Sequence, residues 1–238
     1  MCYSLKRIAR RITLELCDFF GIQPGVTALI GGGGKTSTMY ALAEELKRRG
    51  SVILCTSTHI MIPPHVPYCK TIDTPLPPHA VVSTGTLIGQ KLLLPQQTFS
   101  SLCALADYVL VEADGSRQLP LKAHASHEPV IPYEAKRVIA VIGIDGLGKP
   151  IREAAHRPEL FASLCQTDTE EPVTAEMIYH VVMTYPHFDG IVINKADDKN
   201  AVQRALAIAE LFSVPTAITA WQTNNPIKRL WRKPNDTD

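Results

Sequence analysis

The chain has 238 residues, with 24 Lys plus Arg against 23 Asp plus Glu, so it can bury a full-sized core while carrying almost no net charge. A formal charge of +1 supplies no broad field for gripping a polyanion, which counts against nucleic acid as a partner. With 45% apolar and 20% charged residues the composition is that of a soluble protein, and no stretch reaches the ~18 consecutive apolar residues of a membrane span.

Lys6, Arg7, Arg10 and Arg11 precede Glu15 and Asp18 rather than a continuous apolar run, so an export signal is not expected. Leu5, Ile8, Ile12 and Leu16 recur at helical spacing, and residues 1–20 read as an amphipathic helix packed on the core. The run VTALI at 26–30 predicts a strand, followed by four glycines. Met39, Leu42, Ala43 and Leu46 then share one helical face, which Gly50 stops. A second apolar run, 52–55, completes a βαβ unit, implying parallel strands and a right-handed crossover.

Residues 63–78 hold six prolines, which excludes helix and central strand and predicts an irregular excursion over the surface. Runs 81–83 and 91–94, separated by Gly85 and Gly89, predict a small antiparallel pair. Further short apolar runs at 108–111, 138–142, 188–193 and 215–218 bring the expected core to at least six strands. A helix containing Val202, Leu206 and Ala209 lies between the last two. The expectation is one domain over 1–238 with a polar, proline-interrupted tail at 222–238. Its class is α/β: a three-layer P-loop NTPase fold with a mostly parallel sheet and a small antiparallel β excursion near residues 80–95.

Three motifs carry chemistry. Gly31, Gly32, Gly33, Gly34, Lys35, Thr36 and Ser37 lie between a strand and a helix, the setting in which backbone amides form an anion nest. There Lys35 would reach phosphates and Thr36 would place a hydroxyl on Mg²⁺. Leu29 stands where the GxxxxGK pattern has its first glycine, and Ile30 where deviant P-loops carry an early lysine. Glu112 and Asp114 close the apolar run 108–111, where an acid at the carboxyl edge of a parallel sheet would hold Mg²⁺ or orient an attacking water. Asn194, Lys195 and Asp197 form an NKxD sequence after the 188–193 run, in which the aspartate would read guanine and the lysine stem would pack on the base, so GTP is favoured over ATP.

Other polar clusters are less specific. The TSTH sequence ending in His59 lies on the same edge, and Ser116, Arg117, Lys122, His127 and Glu128 follow the acidic strand, where a switch-like loop is expected, while Arg157 would neutralise phosphate charge. The cysteines, at 2, 17, 55, 69, 103 and 165, show no CxxC pair or zinc spacing and fit single thiols in a reduced cytoplasm. No metal beyond Mg²⁺ is expected from the eight histidines.

In order, GGGGKTS, TSTH, VEADGSRQLPLKAH, HEPVIP, VIGIDGLGKP followed by HRPELF, and INKAD resemble the selenium-dependent molybdenum hydroxylase accessory protein family, the YqeC-like proteins of selenium cofactor biosynthesis. The resemblance covers most of the chain. It implies a cytoplasmic bacterial P-loop protein that helps build or insert the labile selenium-containing cofactor, with the hydroxylase or its cofactor machinery as partner. The family's phosphate loop maps onto Gly31 to Thr36 and its acidic strand end onto Glu112 and Asp114, whereas the HEPVIP and HRPE blocks transfer without a catalytic role.

The expected protein therefore binds GTP or ATP with Mg²⁺ and hydrolyses the phosphoanhydride, with Lys35, Glu112 and Asp114 as catalytic residues and Arg117 and His127 as candidate movers. Two alternatives stand beside it. One is a small-molecule kinase whose acceptor sits in the proline-rich segment. The other is a non-hydrolysing nucleotide-binding module, which Leu29 supports.

Overall fold

The computed structural model describes residues 15–62 and 65–234. Most of the expected N-terminal helix lies outside the described residues, and its end is the short helix α1 (Leu16–Phe19). The anticipated strand, loop and helix follow as β1 (Gly25–Gly31) and α2 (Lys35–Leu46), then β2 (Val52–Thr56). Next come β3 (His59–Met61), β4 (Tyr68–Cys69), β5 (Val81–Thr84), β6 (Thr86–Ile88), β7 (Lys91–Leu93) and α3 (Phe99–Cys103). The acidic strand is β8 (Tyr108–Glu112), and β9 (Leu121–Lys122) precedes the long β10 (Ala135–Gly143). Helix α4 (Ile151–Ala154), β11 (Ala155–His156), α5 (Pro158–Leu164) and α6 (Ala175–Val182) lead to β12 (Gly190–Asn194). The chain closes with α7 (Lys199–Ala209), β13 (Thr216–Thr219) and β14 (Ile227–Trp231).

Among the described residues, nine strands form one sheet in the order β14, β13, β12, β10, β1, β8, β2, β5, β4, with every pairing parallel except β13 with β14. Both faces are covered, which is why the central strands are apolar runs rather than alternating ones. Ala28 and Ile30 of β1 pack with Phe161, Ile178 and Ile208 from α5, α6 and α7, while Leu29 points to the other face against Met39, Leu42 and Leu46 of α2. The result is three layers, helices on sheet on helices.

Two strands depart from expectation. Val81–Thr84 does not pair with 91–94; it joins the main sheet parallel to β2, and its residues from Val82 onward are buried. Lys91–Leu93 instead pairs antiparallel with both β3 and β6 in a separate three-stranded sheet. The turn at Gly85 and the short loop at Gly89 divide the segment differently, and the parallel partner of β5 lies too far away in sequence for a local pattern to reveal. Within the polar tail, residues 227–231 form the antiparallel edge strand β14. Ile227, Leu230 and Trp231 pack on the core while Arg229 is exposed, and charge of this kind guards an edge against pairing with other chains.

Leu110 sits in the middle of β8 with no exposure, flanked by β1 and β2. Leu110→Ala is expected to lower unfolding free energy by about 2–5 kcal/mol, read as a shifted denaturant midpoint with an unchanged slope.

Candidate phosphate-binding site

The route of the chain through the sheet locates the site. From β1 it moves to β2 and back to β8 on one side, then crosses to β10, β12 and β13 on the other. The carboxyl end of β1 is thus a topological switch point, where a crevice opens between diverging connections. The glycine loop lies there. Because β1 continues to Gly31, only residues 32–34 join strand to helix. Leu29 is a fully buried core side chain, so the loop begins later than the GxxxxGK pattern would have it.

Gly33 and Gly34 have φ of 67° and 115°, a region open to glycine at little cost. A Cβ on Gly33 would run into the backbone of Ile142 and Gly143, and one on Gly34 into the side-chain amide of Asn194. The loop is pressed against the ends of β10 and β12. Its first amides are already engaged: Gly31 N–H donates to Asp114 Oδ2 (2.8 Å), Gly32 N–H to the Val141 carbonyl (2.8 Å) and Gly33 N–H to the Leu119 carbonyl (3.0 Å). The amides of Gly34, Lys35, Thr36 and Ser37 are the donors a helix start leaves without intrahelical partners, and among the described residues no acceptor takes them.

Lys35, only 2% exposed, folds back so that Nζ donates to the Gly31 carbonyl (2.7 Å), with Asp114 Oδ1 at 3.0 Å and Glu112 Oε1 at 3.5 Å. Burial alone would lower its pKa, but the two carboxylates outweigh that and raise it, so the ammonium stays charged. Thr36 Oγ1 donates to Glu112 Oε2 at 2.8 Å, which places a hydroxyl and a carboxylate side by side at the helix start. Burial pushes the Glu112 carboxyl up, and Lys35 and Thr36 offset this only in part.

Asp114 has no exposure and is surrounded by donors. Besides Gly31 N–H and Lys35 it accepts a short hydrogen bond from His124 Nε2, with Lys122 Nζ at 3.5 Å. Burial opposes its ionisation, but Lys35, the His124 hydrogen bond and Lys122 prevail and hold it well below the usual carboxylate range. Lys122, also without exposure, continues to Glu128 (3.1 Å), which meets Arg157 (2.9 Å). His124 packs on the ring of Tyr185 at 4.2 Å between centroids, and the Tyr185 hydroxyl donates to the Lys122 carbonyl. Sequence reading missed His124 and Tyr185. The alternation Lys122, Ala123, His124, which places two basic side chains on one face of an extended segment, was the available signal for the first.

The NKxD residues arrive at the same edge from β12. Asn194 braces the loop: its Nδ2 donates to the Gly33 carbonyl (2.8 Å) while its Oδ1 accepts from Thr219 (3.1 Å). Lys195, in left-handed conformation, pairs with Asp145 (2.9 Å), and Asp197 is exposed. Ser37, Arg117, His127 and His59 are exposed, whereas the Thr56 hydroxyl and the Ser57 N–H donate to the Glu112 carbonyl and the Ser57 hydroxyl donates to the Val130 carbonyl. Among the described residues no group of three or more His, Cys, Asp or Glu side chains is arranged to hold a metal ion by itself, and no helix is long and apolar enough to cross a membrane.

A cavity of about 780 Å³ lies at the opposite, amino edge of the sheet, lined in part by Pro75, Leu76 and Pro78. Its polar side chains are already paired locally, Ser51 with Asp107 and Ser100 with Glu134. Pro75, Leu76 and Pro78 are therefore a strand length, about 20 Å, from Lys35, while β4 in the same segment pairs with Ser83 and Thr84 at the carboxyl end of β5.

Residues 27–159 match the YqeC protein family, a span that takes in the glycine loop, the acidic strand and the HEPV and HRPE segments but ends before NKAD. The chain is 36% identical over 156 residues to the "Uncharacterized protein YqeC" of Escherichia coli (strain K12), an alignment covering 60% of this chain and 61% of that protein.

The acid cluster makes two expectations measurable. Asp114→Asn strips a buried acceptor from Lys35 and Lys122 and is expected to cost about 3–5 kcal/mol of stability at neutral pH. Because the folded Asp114 pKa lies below the unfolded value, its contribution is complete above about pH 4 and is lost as pH falls toward the folded value. Denaturant unfolding across that range should show a smaller acid-induced loss in the variant than in the wild type.

Proposed function

Because this chain belongs to the YqeC family, whose match spans both the glycine loop and the acidic strand, we propose that it binds a purine nucleoside triphosphate at the carboxyl edge of β1. The observation that carries this reading is the Thr36 hydroxyl set on the Glu112 carboxylate beside Lys35, at a helix start with four unsatisfied amides. Hydroxyl, carboxylate and water oxygens are the hard donors Mg²⁺ takes together with phosphate. Thr36 and Glu112 would hold it, and it would neutralise charge on the β and γ phosphates. Asp114, whose Oδ2 accepts from Gly31 N–H and His124 and whose Oδ1 faces Lys35, acts as the positioning group for Lys35 and Gly31.

The chain's own steps follow from these roles. A triphosphate replaces Asp114 and Glu112 as counter-ion of Lys35, and the helix-start amides of residues 34–37 receive phosphate oxygens. Asn194 keeps the loop in register, and Asp197 selects guanine over adenine. Glu112 orients the attacking water for hydrolysis. The nucleotide cycle serves the accessory role the family resemblance implies, the making or insertion of a selenium-containing cofactor for a molybdenum hydroxylase. A second reading, phosphoryl transfer to a small acceptor, is favoured by the polar group of Lys122, His124, Glu128 and Arg157 that adjoins Asp114 on the same edge.

Titration with GTP and with ATP in the presence of Mg²⁺ is the test. Wild-type protein should bind GTP more tightly, Lys35→Ala should lose at least tenfold in affinity for both, and Asp197→Ala should equalise the two. Equal binding by all three proteins would remove the assignment. Product analysis with γ-labelled nucleotide separates release of inorganic phosphate from transfer to an acceptor.

A further inference from the structure

The segment 116–120, directly after the acidic strand, lies on the glycine loop. The Leu119 carbonyl accepts from Gly33 N–H at 3.0 Å, and the Pro120 carbonyl accepts from Gly143 N–H at 2.9 Å. A Cβ on Gly32 would collide with both carbonyls. Ser116 Oγ stands 3.4 Å from Lys35 Nζ, so the segment touches the cation as well as the amide. A tight turn, Leu119 N–H to the Ser116 carbonyl at 3.0 Å, holds this shape.

That turn is strained. Arg117 and Gln118 have φ of 49° and 64°, two consecutive non-glycine residues in the left-handed region, each costing roughly 1–2 kcal/mol relative to right-handed backbone. Both side chains are exposed, so packing does not impose the conformation on them. What the strained turn achieves is to put a carbonyl oxygen on a loop glycine amide that neither a strand nor a carboxylate takes. Gly31 N–H is held by Asp114 and Gly32 N–H by β10, but Gly33 N–H is satisfied by this segment alone. A phosphate seated on the helix-start amides would compete for the same donor.

Resting on the nucleotide-binding reading, we propose that residues 116–120 are a strap that shuts the phosphate loop in the nucleotide-free protein. The Leu119 carbonyl stands in for a phosphate oxygen, and the left-handed pair at 117 and 118 stores the strain that lets the strap release. Triphosphate binding displaces the Leu119 carbonyl from Gly33, and the freed turn relaxes. The strap is thus an autoinhibitory contact built mainly from main-chain atoms, so substitutions at 117 and 118 tune it through backbone preference.

Hydrogen exchange over 116–120 and nucleotide titration on two variants test this. GTP with Mg²⁺ should speed exchange in that segment of the wild-type protein. The double variant Arg117→Gly, Gln118→Gly relieves the closed strap and should weaken GTP binding by roughly fivefold or more, whereas Gln118→Val, a β-branched residue at φ 64°, should open it and tighten binding by a similar factor. If the wild-type protein binds GTP while the exchange of 116–120 is unchanged and both variants bind alike, the strap is wrong and the nucleotide reading stands. If the wild type fails to bind but Gln118→Val binds, the strap is confirmed as the barrier. If neither binds, both proposals fall together.

Discussion

A carboxylate with no solvent around it must be ionised against cations or neutral, and Asp114 is held ionised by Lys35, Lys122 and His124 together with one backbone amide. Those donors come from β1, from the first turn of α2 and from the segment that opens with β9, so a single side chain sets the mutual position of three parts of the fold. Removing one partner of such a cluster strands a charge, while replacing the whole cluster with well-packed apolar residues often costs nothing. The cluster therefore fixes geometry more than it adds stability. What it fixes is the height of the glycine loop over the sheet and the direction of Lys35.

Lys35 balances two demands. Its ammonium is buried, which is unfavourable by itself, and its two carboxylate partners make that burial tolerable. On the nucleotide-binding proposal, a polyanion at the helix start would offer the same compensation with more charge, so binding would exchange counter-ions rather than create a new buried cation. Glu112 differs from Asp114 in this respect. Its carboxyl is pushed up by burial, and it shares one oxygen with a threonine hydroxyl instead of being saturated by cations. Two acids separated by one alanine thus have unlike surroundings.

The strand, loop and helix around the glycines were legible in sequence because three local signals agree there: an apolar run, a glycine cluster and a helical stripe whose Met39, Leu42, Ala43 and Leu46 are all buried. The acids at the end of β8 were legible for the same reason, since they close an apolar run at the carboxyl edge of a parallel sheet. Pairing was not. Val81–Thr84 looks like half of a hairpin, and only the register with β2 makes it a parallel strand. The engagement of the Gly31, Gly32 and Gly33 amides also escaped a local reading, since their acceptors lie on Asp114, Val141 and Leu119. The role of His124 depends on its contact with Asp114, and the bond from the Asn194 amide to the Gly33 carbonyl joins residues far apart in sequence, so neither contact was legible locally.

That brace has a consequence for biosynthesis. The Asn194 amide and the Gly33 carbonyl it holds are 161 residues apart in sequence. At bacterial or eukaryotic elongation rates of about 5–20 residues per second, the ribosome takes on the order of 10–30 seconds to reach Asn194 after Gly33. Throughout that interval the emerging polypeptide carries its glycines without their clasp, and the loop matures only when late translation delivers it. A ribosome stalled before that point holds an immature loop, however complete its acidic strand.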